Sequence, residues 1–416
     1  MADVAALPGE VIAHIVAFLR DASSLRIAAL IHPSFTPWAR ATRFRHVRLT
    51  QDNTAAFAVL LQSSPLVASY IQQLEIDMPL VNDADSDALP IPLPSEHFTL
   101  CRNLRGLTSH GDPFGFRQLD TSQLTALREG MRGLRTLELT FARLYPLPYW
   151  SALLDACDTL ESLEIRANKP NQWTWEDIHV AIPSVLGSTP SGMHLQVLRI
   201  ACEAQALAPI SQWLLSRDAL DTLVVLELNI YCIDRPIEDA LGALVRAAMC
   251  SVKELRLHLD DGLRLEHDKN TPLTAASFPL LRTLRVRVGE LATTLEWTAA
   301  FLGSQAPQAH RSVLERITID DCIQRHRLEA TSVASWAALD DALVVAALPS
   351  LVALSFTHPP AGHEEASETQ LNFASYIASR MPRLAGSKSR IRLQFDEEVD
   401  EREAEILMSR VTCVVF

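Results

Sequence analysis

Apolar residues recur along most of this chain at spacing i, i+3, i+5. The clear copies are Leu134-Arg-Thr-Leu137-Glu-Leu139, Leu160-Glu-Ser-Leu163-Glu-Ile165 and Leu195-Gln-Val-Leu198-Arg-Ile200. Leu223–Leu228, Val252–Leu257, Leu281–Val286, Leu314–Ile319 and Leu351–Phe356 continue the series, and weaker copies lie at Ile71–Ile76, Leu104–Leu107 and Ile391–Phe395. The last two apolar positions of each copy alternate with polar ones, the period of a half-buried strand. From Leu137 onward the central apolar residue steps by 26, 35, 28, 29, 29, 33 and 37 residues. Helix-period stretches fill the intervals, best at Pro209–Leu215, Ile237–Met249, Leu295–Leu302 and Ala334–Leu348. A further apolar residue stands three positions before the first leucine site: Cys101, Met131, Cys157, Phe278, Leu348 and Met381. These are read as packing residues, the cysteines included.

The pattern predicts an α/β chain. One short strand and one helix cannot bury their own apolar faces, whereas stacked neighbours bury them jointly. The strands then form a curved parallel sheet with the helices outside it. The series resembles the divergent, helix-bearing leucine-rich repeats, and the resemblance covers about residues 44–416. It departs from many of them in lacking an Asn after the last leucine; Cys202 stands in that slot in one copy. Residues between the leucines are expected on the concave, solvent-facing side. They are Glu138, Glu164, Arg166, Arg199, Glu227, Arg256, His258, Arg285, Arg287 and Arg316. Acids prevail in the first half. Arg256, Arg285, Arg287 and Arg316 fall on successive strands and suggest an arginine ladder suited to carboxylate or phosphate. The plainer reading is that alternating charges only solubilise the sheet. Arg199, Arg256, His258, Arg285, Arg287 and Arg316 are the candidate contacts to a substrate on this face.

The first fifty residues follow another pattern. Val11, Ile12, Ile15, Val16 and Leu19 form a stripe at helical spacing, with Pro8 in a first-turn position. Asp21–Ser24 is read as the cap of a second helix carrying Leu25, Ile27, Ala28 and Leu30, which Pro33 ends. Thr36-Pro37 reads as an N-cap followed by proline, opening a third helix to about Arg43. Three helices this short make a marginal core that calls for a partner. Leu7-Pro8-x-Glu10-Val11-Ile12-x-x-Ile15-x-x-Phe18-Leu19, then Leu25-x-Ile27-Ala28-Ala29-Leu30, Ser34-Phe35 and Phe44-Arg45, resembles an F-box, most closely the F-box-like modules of fungal proteins. Where many members have Val-Cys-x-x-Trp, this chain has Ile31-His32-Pro33-Ser34-Phe35 and keeps only the aromatic.

Together the two resemblances imply an F-box-like domain at 1–46 and a leucine-rich repeat solenoid at 47–416. They imply a substrate-recognition subunit of an SCF-type cullin–RING ubiquitin ligase, non-catalytic itself. The F-box would dock on the Skp-type adaptor through Leu7, Pro8, Glu10, Val11, Ile12, Ile15, Leu25 and Leu30, and the repeats would hold an acidic or phosphorylated protein. The alternative is a leucine-rich scaffold outside any ligase, its first helices a mere cap.

Composition narrows the rest. The chain carries a net charge of −13, which argues against a general nucleic-acid binder; residues 1–50 hold six Lys/Arg and three Asp/Glu. Seven cysteines lie scattered with no C-x-x-C pair, as reduced thiols of a cytoplasmic or nuclear protein do. No apolar run is long enough to span a bilayer, and no membrane partner is expected. Asn82–Glu96 (within a loop near 80–96) and His358–Thr369 (near 358–370) read as surface loops. Asp396–Glu405 has seven acids in ten residues and reads as a C-terminal cap. Asp83-x-Asp85-x-Asp87 opens like a calcium loop, but Ala88 and Pro94 stand where Gly and Glu belong. No metal, cofactor or catalytic group is nominated.

Overall fold

The computed structural model describes residues 7–19, 21–77, 96–110, 121–141, 154, 156–167, 193–231, 236–259, 274–303, 313–320, 331–345, 348, 350–358, 375–386 and 392–397. Of the loops expected at Asn82–Glu96 and His358–Thr369 and the acidic cap expected at Asp396–Glu405, residues 82–95, 359–369 and 398–405 lie outside these residues, as does the calcium-like stretch; Glu96 instead opens a helix, His358 ends a strand, and Asp396 and Glu397 lie in the last strand. The chain divides into two compact units, Met1–His194 and Leu195–Phe416.

The first unit opens with three helices, α1 (Gly9–Ala17), α2 (Ala22–Ile31) and α3 (Thr36–Phe44). Asp21 caps α2 as read, its carboxylate accepting from the Ser24 N–H at 2.7 Å. The third helix starts one residue earlier than its sequence cap suggested. Phe35 is the N-cap, and the Thr36 hydroxyl instead donates to the Ala29 carbonyl at 3.0 Å, tying α3 to α2. After α3 come five strands in order: β1 (His46–Thr50), β2 (Gln73–Asp77), β3 (Gly106–His110), β4 (Thr136–Phe141) and β5 (Ser162–Ala167). Each pairs in parallel with the next. Helices Thr54–Ser63, Pro65–Ala68, Glu96–Leu100 and Thr121–Met131 lie between them in sequence.

The second unit carries β6 (Val197–Glu203), β7 (Val225–Tyr231), β8 (Glu254–Leu259), β9 (Thr283–Val288), β10 (Arg316–Ile319), β11 (Ala353–His358) and β12 (Arg392–Glu397), again parallel and in chain order. Helices Ala204–Ser216, Pro236–Ala248, Leu291–Gly303 and Val333–Val345 occupy the intervals the periodicity marked. They overlap the expected amphipathic stretches, with ends displaced by up to five residues.

Register explains why these strands stack. Leu198, Leu226, Leu255, Leu284, Ile317, Leu354 and Leu393 pair row by row, and two residues on so do Ile200, Leu228, Leu257, Val286, Ile319, Phe356 and Phe395. Those of β6–β11 are buried. At nine places among the described residues a backbone carbonyl just after the first apolar site accepts two N–H groups from the next repeat. In the first unit these are the carbonyls of Arg45, Gln72, Arg105 and Arg135; in the second, Gln196, Val224, Lys253, Arg282 and Glu315. All eighteen bonds measure 2.7–3.2 Å. Side chains reinforce the seam. Thr159 donates to the Leu134 carbonyl at 2.9 Å, Thr222 to Leu195 at 3.0 Å and Ser251 to Leu220 at 3.1 Å, each from the position preceding its own first apolar site.

The six apolar residues expected at the strand entrances are all buried. Burial pushes the Cys101 thiol up to about 11, so it is a packing group and not a nucleophile at neutral pH. Gly130 fills a special place. A Cβ there would come within 2.5 Å of Phe98 Cβ and 2.6 Å of the Phe98 carbonyl carbon, so helices Glu96–Leu100 and Thr121–Met131 approach only because this side chain is absent.

Two substitutions test the packing. Leu226→Ala, at a fully buried row position, should lower unfolding free energy by about 2–5 kcal/mol in denaturant titration. Gly130→Ala should cost about 1–3 kcal/mol, although alanine is the better helix former, because backbone must move; an unchanged midpoint would refute the close approach.

Candidate functional site

Two surfaces stand out. On the small helical module, α1 carries apolar residues on two faces. Ile12 and Val16 point inward and join Leu25 of α2 and Ala39 of α3 in a core, flanked by Leu19, Ala29 and Phe35. Val11, Ile15 and Phe18 point outward and remain exposed, as do Leu7, Ile27, Leu30, Ile31 and Trp38. Of the eight adaptor contacts expected from sequence, Leu7, Pro8, Glu10, Val11, Ile15 and Leu30 are exposed, Ile15 at 42% and Leu30 at 78%. Ile12 (3%) and Leu25 (5%) belong to the module's own core and shape that surface from beneath. A single helical stripe cannot say which of its apolar residues face inward; the crossing of α2 and α3 decides it.

The second surface is the polar face of the second unit's sheet. One register row reads Arg199, Glu227, Arg256, Arg285, Thr318, Ser355; the next reads Ala201, Asn229, His258, Arg287 on β6–β9, with Thr357 on β11. Alternation therefore places Arg199, Arg256, His258, Arg285 and Arg287 on one face, as expected. Arg316 shares that face in another row, because its partner on β9 is Thr283 and not Arg285. The four arginines expected on successive strands occupy three, because Arg285 and Arg287 both lie on β9, and the ladder has a step at β10.

The arginines are also internally compensated. Glu227 sits 3.4 Å from Arg199 Nε and 3.3 Å from Arg256 Nη1, and Arg256 Nε donates to Glu254 at 2.7 Å. In the first unit Arg48 pairs with Asp77 at 2.6 Å and Glu75 at 3.2 Å, and Arg166 Nε donates to Glu164. Glu164, expected exposed, is buried. These chains of alternating sign orient the side chains more than they stabilise the fold, since partly exposed pairs are worth about 0–1 kcal/mol each.

Asp320 was not among the sequence candidates and is the centre of this face. It directly follows β10, and its side chain is 1% exposed. Its Oδ2 lies 2.6 Å from His258 Nε2 on β8 and 2.5 Å from Arg285 Nε on β9, and its Oδ1 accepts from the Thr357 hydroxyl on β11 at 3.0 Å. One carboxylate thus draws on three strands besides its own. Burial pushes its pKa up, but the His258 hydrogen bond and the Arg285 charge outweigh burial and hold it below the ordinary carboxylate value. An ionised carboxylate only accepts, so the proton between it and His258 resides on Nε2.

Among the described residues no three or more His, Cys, Asp or Glu side chains gather as a metal site, and no helix is long and apolar enough to cross a membrane.

Removal of either partner should be asymmetric. Arg285→Ala leaves a buried carboxylate without its guanidinium partner and should cost about 3–5 kcal/mol. Asp320→Ala leaves side chains that are 27% and 25% exposed, and solvation should limit the cost to about 1–3 kcal/mol. The depressed pKa also sets a pH signature. Asp320 contributes its full stabilisation above the unfolded value of about 3.9 and loses it as pH falls through the lower folded value. The stability gap between the parent chain and Asp320→Asn should therefore close in acid, as read by urea titrations from neutral pH downward; a gap that widens in acid would refute the assignment.

No family model and no curated protein matches this chain.

Proposed function

We propose that the chain is a substrate-recognition subunit of an SCF-type cullin–RING ubiquitin ligase. The first three helices act as its F-box-like module and the strand–helix units as divergent leucine-rich repeats that hold a protein substrate. The observation that carries this reading is the second apolar face of α1. Val11, Ile15 and Phe18, together with Leu30 of α2, are exposed on a module whose core holds few residues. Apolar side chains gathered on one small module mark a surface built for a partner. The opening Leu7-Pro8-x-Glu10 and the register through Leu30 suit a Skp-type adaptor as that partner.

On this reading the chain breaks no bond. It raises the local concentration of its substrate at the ubiquitin-loaded enzyme, an effect of linkage and geometry. The substrate presents a surface complementary to the polar sheet face and is an acidic or phosphorylated protein. The rival reading, a scaffold outside any ligase, draws on α3 running into β1 with only Arg45 between them, as a cap would. A pure cap has no use for outward-facing Ile15 and Leu30, which favours docking.

Ile15→Asp and Leu30→Asp separate the readings, because both sites are exposed and should leave the melting temperature unchanged. Co-purification with a Skp-type adaptor should fall by about tenfold or more, the order expected for lost anchor residues. Full capture by the double variant would leave the scaffold reading standing. Leu25→Asp would not serve, since it unfolds the module.

A further inference from the structure

The polar face of the second unit's sheet holds an excess of positive charge in a chain that is negative overall. Across its first three register rows on β6–β11, Arg199, Arg256, Arg285, Arg287 and Arg316 face Glu227, Glu254 and the adjoining Asp320, which leaves two positive charges beside His258. The whole chain carries −13. The excess is not spread evenly. Arg256 is held at both ends, by Glu254 at Nε and by Glu227 at Nη1. Arg285 differs. Among the described residues it has one acidic partner, engaged through Nε alone, and that partner is itself buried.

A guanidinium carries five donors in a rigid fork. Use of Nε for Asp320 leaves both Nη groups of Arg285 on a side chain that is 27% exposed. Asp320 is fixed in turn by His258 from β8 and Thr357 from β11, so the guanidinium cannot swing without breaking a buried network. A cation held this way loses little conformational entropy when a ligand arrives, and its pair of parallel N–H groups matches an oxyanion with two oxygens.

We infer that Asp320 is a positioning residue which holds Arg285 so that its Nη edge receives, two bonds at once, an oxyanion side chain on an acidic peptide segment of the partner protein. The inference rests on the reading of this face as the substrate surface. It does not depend on the adaptor. The oxyanion is a carboxylate or a phosphate, which offer the same pair of acceptor oxygens.

The experiment uses the full chain co-expressed with a Skp-type adaptor. Two fluorescent peptides that differ only at one kind of position, glutamate in the first and phosphoserine in the second, are titrated at low salt; the one that binds identifies the source of the oxyanion. Arg285→Lys keeps the charge and loses the fork. It should weaken the bound peptide by about tenfold or more, the order of one charge-assisted hydrogen bond. Asp320→Asn adds a positive charge to the face yet loosens Arg285. It too should weaken binding, against the direction that charge alone dictates. Unchanged affinity in Arg285→Lys, tighter binding in Asp320→Asn, or failure of the parent chain to bind either peptide overturns the inference. Adaptor capture is measured on the same samples. Capture without peptide binding sinks the positioning role alone, and peptide binding without capture sinks the ligase reading alone.

Discussion

The pairing of one backbone carbonyl with two successive N–H groups of the next repeat is the constraint on which the sheets rest. It recurs at Arg45, Gln72, Arg105 and Arg135 in the first unit and from Gln196 to Glu315 in the second. A parallel ladder has no hairpin to fix its register, and a slip of one residue would turn every buried leucine toward solvent. The shared carbonyl sets the start of β2–β5 and of β7–β11, so the row from Leu226 to Leu354 forms whatever lies between its members. Burial of those rows supplies the energy; the carbonyl supplies the alignment.

The same alignment organises the polar side. Because the strands are in step, charges from distant parts of the sequence come side by side at roughly 4.8 Å, the spacing of paired strands. A row of bare arginines at that spacing would repel itself. The chain interleaves Glu227 and Glu254 among them and sinks Asp320 beneath Arg285 and His258. The result is a patterned surface with a modest positive excess and fixed side-chain directions. On the proposed reading, such a surface selects a partner by the arrangement of its charges more than by their number.

Much of this was legible in the residues. The i, i+3, i+5 pattern marks β2 and β4 to β11 in full and β3 in part, and the alternation Ile391, Leu393, Phe395 marks β12, because a strand buried on one face writes its period directly into the sequence. It missed β1. Phe44-x-x-Val47-x-Leu49 is a further copy of the pattern, pairing with β2 at Val47 and Leu49, but Phe44 and Arg45 also complete the helical pattern of the first fifty residues, which masks it. Arg316 was set in the wrong row because it precedes the central apolar residue, as Thr283 does, whereas Arg285 follows it. Asp320 could not be found at all. Its partners lie 62, 35 and 37 residues away, and no local spacing reports them. The inward and outward faces of α1 were likewise beyond a stripe of apolar residues, since both are hydrophobic.

The spread of interval lengths has a consequence for how such a chain changes over generations. Central apolar residues stand 26 to 39 positions apart, yet the strands they anchor stay in step. Length differences are absorbed after a strand ends and before the next shared carbonyl is reached. Insertions and deletions in those intervals therefore alter the rim without disturbing the rows, while the strand residues can be exchanged one at a time against a fixed grid. An architecture of this kind separates the freedom to vary its exposed face from the requirement to remain folded.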